Sequence, residues 1–146
     1  MNNMKKIIIT SICLLMVLAA SAQQGQRRFS PERFQAEMEQ YIIQEAKLST
    51  QEADRFLPIF REMHQKQRVI YECQHQLRHT NLSDETAYME AIRKNDQMDI
   101  ELKTIQKNYH EKFMTVLPAS KVFDVIRAED RFHREMWKKW NHKKRK

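Results

Sequence analysis

The chain has one glycine, Gly25, in 146 residues. Phosphate-cradling loops, nucleophile elbows and primed hairpin turns all need glycine at defined positions. None of them can be written in this sequence. Cysteine is nearly as scarce, with Cys13 and Cys73 alone. Cys13 lies in an N-terminal apolar run, and a single remaining cysteine excludes a framework of internal disulfides. Proline occurs three times, at Pro31, Pro58 and Pro118. Two of these fall where helices should begin. Long apolar runs are also missing, apart from one near the N-terminus.

That run defines the first segment. Lys5 and Lys6 precede Ile7 to Ala20, which is broken only by Thr10 and Ser11. Ala20-Ser21-Ala22 comes next as an A-x-A site. This is the three-part pattern of a secretory signal, with cleavage expected between Ala22 and Gln23. The apolar stretch is about 14 residues, short of the roughly 20 that a spanning helix needs. Thr10-Ser11-Ile12 before Cys13 does not read as a lipobox, so the expected product is soluble and periplasmic. Removing 22 of the 146 residues leaves 124, one domain by length. Losing Lys5 and Lys6 from 26 basic residues leaves 24 against 19 acidic ones. Such a surface favours acidic partners or membrane surfaces. Export removes nucleic acid from the expected partners.

What is present is helix-forming: Glu, Gln, Lys, Arg, Met, Leu and Ala. Residues 23–29 are polar and aperiodic and are expected to form a flexible arm. Ser30-Pro31-Glu32 then reads as a helix start. Phe34, Met38, Tyr41, Ile42 and Ala46 mark one stripe of a helix over 31–47. Leu48-Ser49-Thr50-Gln51-Glu52 carries a capping box, Ser49 with Glu52, and a staple residue before it. A helix over 50–79 comes after it, with the seam Phe56, Phe60, Met63, Gln67, Ile70, Gln74 and Leu77. Its 4-3-4-3 spacing is heptad-like. Pro58 lies inside this helix, and the seam continues across it in phase from Phe56 to Phe60, which predicts a bend, not a break.

Thr80 to Asp84 reads as a turn, with Ser83 as the cap of a third helix over 84–116. Its seam is Ala91, Asn95, Met98, Leu102, Ile105, Tyr109 and Val116, with Lys112 at one position beside Phe113. Two long helices joined by a short turn imply an antiparallel αα-hairpin. Leu117-Pro118-Ala119-Ser120-Lys121 interrupts the pattern, and Pro118 suits a first helical position. A fourth helix over 119–140 carries Val122, Phe123, Val125, Ile126, Phe132, Met136, Trp137 and Trp140. Residues 141–146 form a basic tail, expected to be frayed. Leu48 and Leu117 each precede a helix that carries an early aromatic, Phe56 and Phe123, which suggests two structural counterparts. The domain is thus expected over 30–140, all-α, with four helices around a long hairpin.

Four constellations bear on chemistry. His75 and His79 stand i,i+4 and share a helix face, a spacing that suits zinc or another divalent ion. Arg78 between them opposes a cation, and the alternative is a pair of exposed polar histidines. His110, His133 and His142 show no sequence relationship to them. The carboxylates Glu37, Glu39, Glu45, Glu52, Glu72, Glu90, Glu111 and Glu129 interleave with Lys and Arg as helix surfaces do. With no nucleophile, base and orienting group to name, the reading is not an enzyme, and no cofactor is implied. Trp137-Lys138-Lys139-Trp140 admits two readings. It is a contact for a membrane surface or an anionic partner, or a helix end whose tryptophans pack inward. Last, Leu57, Ile59, Tyr71, Tyr88, Met89, Ile92 and Ile100 lie off the main seams. They need the outer helices, a second subunit or a client protein to cover them.

Together, the signal segment, the glycine-poor helices and the pair Leu48-Ser49-Thr50-Gln51-Glu52 and Leu117-Pro118-Ala119-Ser120-Lys121 resemble the Spy/CpxP family of periplasmic proteins. Members of that family carry two Leu-Thr-x-x-Gln motifs at comparable helix starts. Here Ser49 and Glu52 replace the threonine and glutamine of the first copy, and Pro118 and Lys121 those of the second. The resemblance spans about residues 30–140. It implies a four-helix, hairpin-based cradle, usually a homodimer. It also implies an ATP-independent chaperone or envelope-stress role toward unfolded or envelope proteins, or a regulatory partnership with an envelope signalling protein. Some relatives bind zinc or sense other divalent metals.

Overall fold

The computed structural model describes residues 30–144, with side chains as far as His142. The signal segment, the cleavage pair Ala22 and Gln23, the arm over 23–29 and the last two residues lie outside the described residues. The chain divides between Phe34 and Gln35 into two units. Within the first, Ser30 caps the start of a helix, its Oγ accepting from Arg33 N at 3.3 Å. The second unit, Gln35–Lys146, holds the core.

Four helices account for the described residues, and no strand occurs among them. They are α1 (Pro31–Glu45), α2 (Thr50–Arg78), α3 (Glu85–Met114) and α4 (Ala119–Lys144). The α1 helix stops two residues before its expected end because Lys47 turns into the left-handed region, φ 50°. Leu48 N closes that turn onto Ile43 O at 3.0 Å. The expected capping box at the start of α2 is complete. Glu52 N donates to Ser49 Oγ at 3.3 Å, and Ser49 N donates to the Glu52 carboxylate at 2.8 Å. Helix α2 runs unbroken through Pro58, which is exposed.

Other boundaries differ from expectation as well. Asp84, not Ser83, caps α3: its carboxylate accepts from Ala87 N at 2.9 Å. Ser83 instead donates its hydroxyl to Asp84 at 2.9 Å and so steadies the cap. An aspartate serves better here because its charge also complements the helix dipole. Pro118 sits one residue before α4, its carbonyl accepting from Val122 N. At the far end α4 continues to Lys144, four residues beyond the expected end.

The core is built from helix-period positions. Phe56, Phe60, Phe113, Met38, Ile42, Met63 and Val125 are its largest fully buried side chains. Phe56 meets Phe113 edge-on at 4.9 Å between centroids, and packs on Phe60 at 5.2 Å with the rings tilted by 35°. Edge-to-face rings of this kind add about 0.5–1.5 kcal/mol to their burial. Tyr41 of α1 packs on Phe132 of α4 at 5.5 Å. Farther along the hairpin the core narrows to two helices. There Ile70 and Leu77 of α2 meet Met98, Leu102 and Ile105 of α3. Buried Gln74 donates to Asp99 at 2.7 Å in the same stretch. The pairings 56 with 113 and 74 with 99 run in opposite order on the two helices, so the pair is antiparallel. Phe113 takes the seam position beside Lys112, while the Lys112 ammonium lies over the Tyr109 ring at 4.3 Å.

The two Leu-led segments are counterparts, but in a different register from the one their aromatics suggest. Phe123 is 61% exposed and does not match Phe56. Counting from Leu48 and Leu117, the matching buried pairs are Ala53 with Val122, Phe56 with Val125, and Met63 with Phe132. Glu52 and Lys121 occupy the same place in this count, and they touch. Lys121 Nζ lies 2.5 Å from a Glu52 carboxylate oxygen and 3.1 Å from Lys47 O.

Candidate functional site

Three surface regions and one cleft merit a functional reading. His75 and His79 are both exposed near the end of α2, with ring centroids 4.4 Å apart. The i,i+4 spacing therefore does bring them side by side. Among the described residues, however, no group of three or more His, Cys, Asp or Glu side chains is disposed to hold a metal ion. Cys73 on the same helix is exposed and is a free thiol.

The end of α4 does not tuck its indoles inward. Trp137 is 68% exposed and Trp140 52%, and Lys138 and Lys139 beside them are exposed as well. The reason lies upstream. Phe132 and Ala128 are the last α4 side chains that the core takes in, and beyond them α1 offers Tyr41 to Glu135 by a hydrogen bond of 3.2 Å. Arg131 is held by Glu45 of α1. Past this point the helix carries its aromatics into solvent.

The third region is the off-seam face of the hairpin. Val69, Tyr71, Tyr88, Met89, Ile92 and Ile100 are between 44% and 62% exposed. Helical spacing sorts the α3 members into two stripes. Met89, Ile100 and Met114 recur at intervals of 11 and 14 residues and share one stripe with Arg93, Lys103 and Lys107. Asp96 and Glu111 stand among them. Tyr88 and Ile92, one turn apart, share the other. Together with Leu77, Leu82 and Ala91 they line a groove of about 590 Å³ at the loop end of the hairpin.

The cleft was not legible beforehand. His64 of α2, His110 of α3 and Glu129 and His133 of α4 converge on one cavity of about 560 Å³, with Tyr71 and Lys103 also lining it. His64 stacks edge-on against the core ring of Phe60 at 4.3 Å. Its Nε2 is buried and lies 3.3 Å from Glu129 Oε1, without the alignment of a hydrogen bond. His133 Nε2 approaches the same oxygen at 3.8 Å. Burial alone pushes the Glu129 carboxyl upward, but the imidazoles of His133 and His64 outweigh it and hold the group down at about 2. Glu129 therefore stays ionised, an anion of α4 beside His64 of α2 and His133 of its own helix. Burial pushes the His110 imidazole down, against a smaller upward pull from Glu129. The one sequence hint was Glu129 and His133 at i,i+4; that His64 joins them is a product of tertiary packing.

Two more carboxylates also leave the solvated-face pattern. Glu39 is only 6% exposed and accepts from Arg61 Nε and Nη2, at 2.9 and 2.7 Å. The bidentate geometry compensates its burial. Burial pushes Glu39 up, yet the Arg61 and Gln35 donors bring it below the usual carboxylate range. Glu52 is held at about 2, first by Lys121 and then by the Ser49 backbone N–H. Among the described residues, no helix is long and apolar enough to cross a membrane. No protein-family model, curated protein or solved structure matches the chain.

Proposed function

We propose that this protein is a periplasmic, ATP-independent chaperone or envelope-stress protein of Spy/CpxP type that binds unfolded or envelope proteins. The observation that carries the reading is the α3 stripe on which exposed Met89, Ile100 and Met114 alternate with Arg93, Lys103 and Lys107. Unbranched methionine side chains adapt to varied apolar partners, and the cations attract acidic segments over a Debye length. Val69 and Tyr71 are further exposed apolar side chains, on α2. Charge set among apolar groups favours weak, adaptable contact over one fixed partner. The mature protein at equimolar ratio should suppress aggregation of a denatured client without ATP, and less well at high salt. No suppression at any ratio contradicts the reading.

A second reading rests on the adjacent rings of His75 and His79. Two imidazoles one turn apart form half of a zinc site, which a sensor or buffer would complete with other ligands. Calorimetric zinc titration of the wild type and of His75→Ala/His79→Ala tests it. Heat lost in the variant supports the reading; heat absent or unchanged removes it.

A further inference from the structure

We propose that the C-terminal end of α4 docks on anionic lipid bilayers, at the level of the headgroups. The positive charge of the chain is gathered there. Residues 131–146 carry eight basic residues against one acidic residue, Glu135. From Gln23 onward the chain has 24 basic and 19 acidic residues, so residues 23–130 hold 16 against 18. The whole positive excess thus sits in the last 16 residues, and the remainder is slightly acidic. Charge divided in this way makes the basic end the part that an anionic surface attracts.

The geometry of this end is that of an interfacial helix. Trp137 is 68% exposed and Trp140 52%. At 3.6 residues per turn they stand about 60° apart, so the two indoles share one arc of the helix. Arg134 and Lys138 lie on one side of that arc and Lys139 on the other, and all three are exposed. Glu135 lies opposite the arc, half-buried, where it accepts from Tyr41 of α1 at 3.2 Å. The one carboxylate of the segment is therefore held away from the indoles. Indoles favour the boundary between headgroups and acyl chains. Flanking Lys and Arg can extend along it and keep their charges at the phosphates.

The pattern fits a lipid surface better than a folded partner. A folded partner would need a pocket for each indole and a fixed anion for each cation. Cations on both flanks of one helix, with four more in the tail, match a flat field of mobile anionic headgroups. Phe132 is the last α4 side chain buried in the core, so seating the indoles in a bilayer disturbs no packed residue. Among the described residues no helix can cross a membrane, which agrees with contact at the surface. The Met89–Ile100–Met114 stripe plays no part, so lipid docking and client binding stand or fall separately.

Trp137 and Trp140 are the chain's two tryptophans and report their own insertion. The test mixes the protein from Gln23 onward with vesicles of phosphatidylcholine alone, or of equal parts phosphatidylglycerol and phosphatidylcholine. Co-sedimentation and tryptophan emission are read together. The expected result is binding, with emission moving to shorter wavelength, on the anionic vesicles only and reversed by high salt. Lys138→Glu/Lys139→Glu should weaken binding about tenfold or more, equivalent to about 1.4 kcal/mol. Trp137→Ser/Trp140→Ser should reduce co-sedimentation as well. Helicity by circular dichroism shows that the variants fold. No co-sedimentation with anionic vesicles overturns the proposal. So does equal binding to neutral vesicles, or binding that both variants leave intact. An emission shift produced by concentrating the protein or by adding an acidic protein, and not by lipid, overturns it too.

Discussion

Lys121 and Glu52 stand at the same position of two Leu-led segments and form an ion pair with each other, 2.5 Å apart. Each segment opens a helix, and each leading leucine is buried. The pair thus fastens the start of α4 to the start of α2 and to the carbonyl of Lys47, which holds the tight turn after α1. Glu52 also completes the capping box with Ser49. Lys121→Met should therefore lower stability, and Glu52→Ala should lower it further, since it removes both the pair and half of the box. Ser49→Ala should cost about 1 kcal/mol by losing the cap alone. Urea unfolding of the three variants checks the order. Equal effects of Lys121→Met and Glu52→Ala contradict it.

Stability should be unequal along the hairpin. Near Phe56, Phe60 and Phe113 the core draws on all four helices, whereas Ile70, Met98 and Leu102 are enclosed by two. Phe60→Ala should cost about 3–5 kcal/mol. Native-state hydrogen exchange should show amides around Phe60 and Phe113 protected close to the global limit, and those around Leu77 and Ala91 opening more readily. Uniform protection along α2 and α3 contradicts this.

The acid limb of stability should be set by Glu52 and Glu129. Both have folded-state values of about 2, below the ordinary 4.5. A depressed carboxyl contributes stability that is present above its unfolded value and lost as pH falls through the folded one. The melting temperature should thus fall as pH drops from about 4.5 toward 2, and Glu129→Gln should flatten that slope. His110 adds a smaller loss that begins below its ordinary 6.5, because burial lowers its value too. A melting temperature equally pH-dependent in Glu129→Gln contradicts the assignment.

Much of the fold could be read in the residue order because its information is local. The α2 seam from Phe56 to Leu77 and the Ser49–Glu52 box depend on spacing within one helix, and both stand as expected. Spacing was less informative where two residues compete for a role. Asp84 displaces Ser83 as a cap because an anion suits the helix dipole. Val125 displaces Phe123 because the register is counted from Leu117, not from the next aromatic. The histidine cleft was illegible because His64, His110 and Glu129 are held by three different helices. Glu39 looked like a surface carboxylate until α1 packed it beside Arg61. The outward Trp137 and Trp140 result from where the core ends, which no helical period states.

The central claim is that an apolar stripe set among cations binds unfolded protein. Its most direct test compares the mature wild type with Met89→Asp/Ile100→Asp in light-scattering assays of a denatured client, without ATP. Both positions are exposed, at 44% and 59%, so the variant should keep its helicity. The account predicts that the wild type suppresses aggregation and that the variant loses most of this activity while remaining folded. Suppression absent in the wild type, or undiminished in the folded variant, would contradict it.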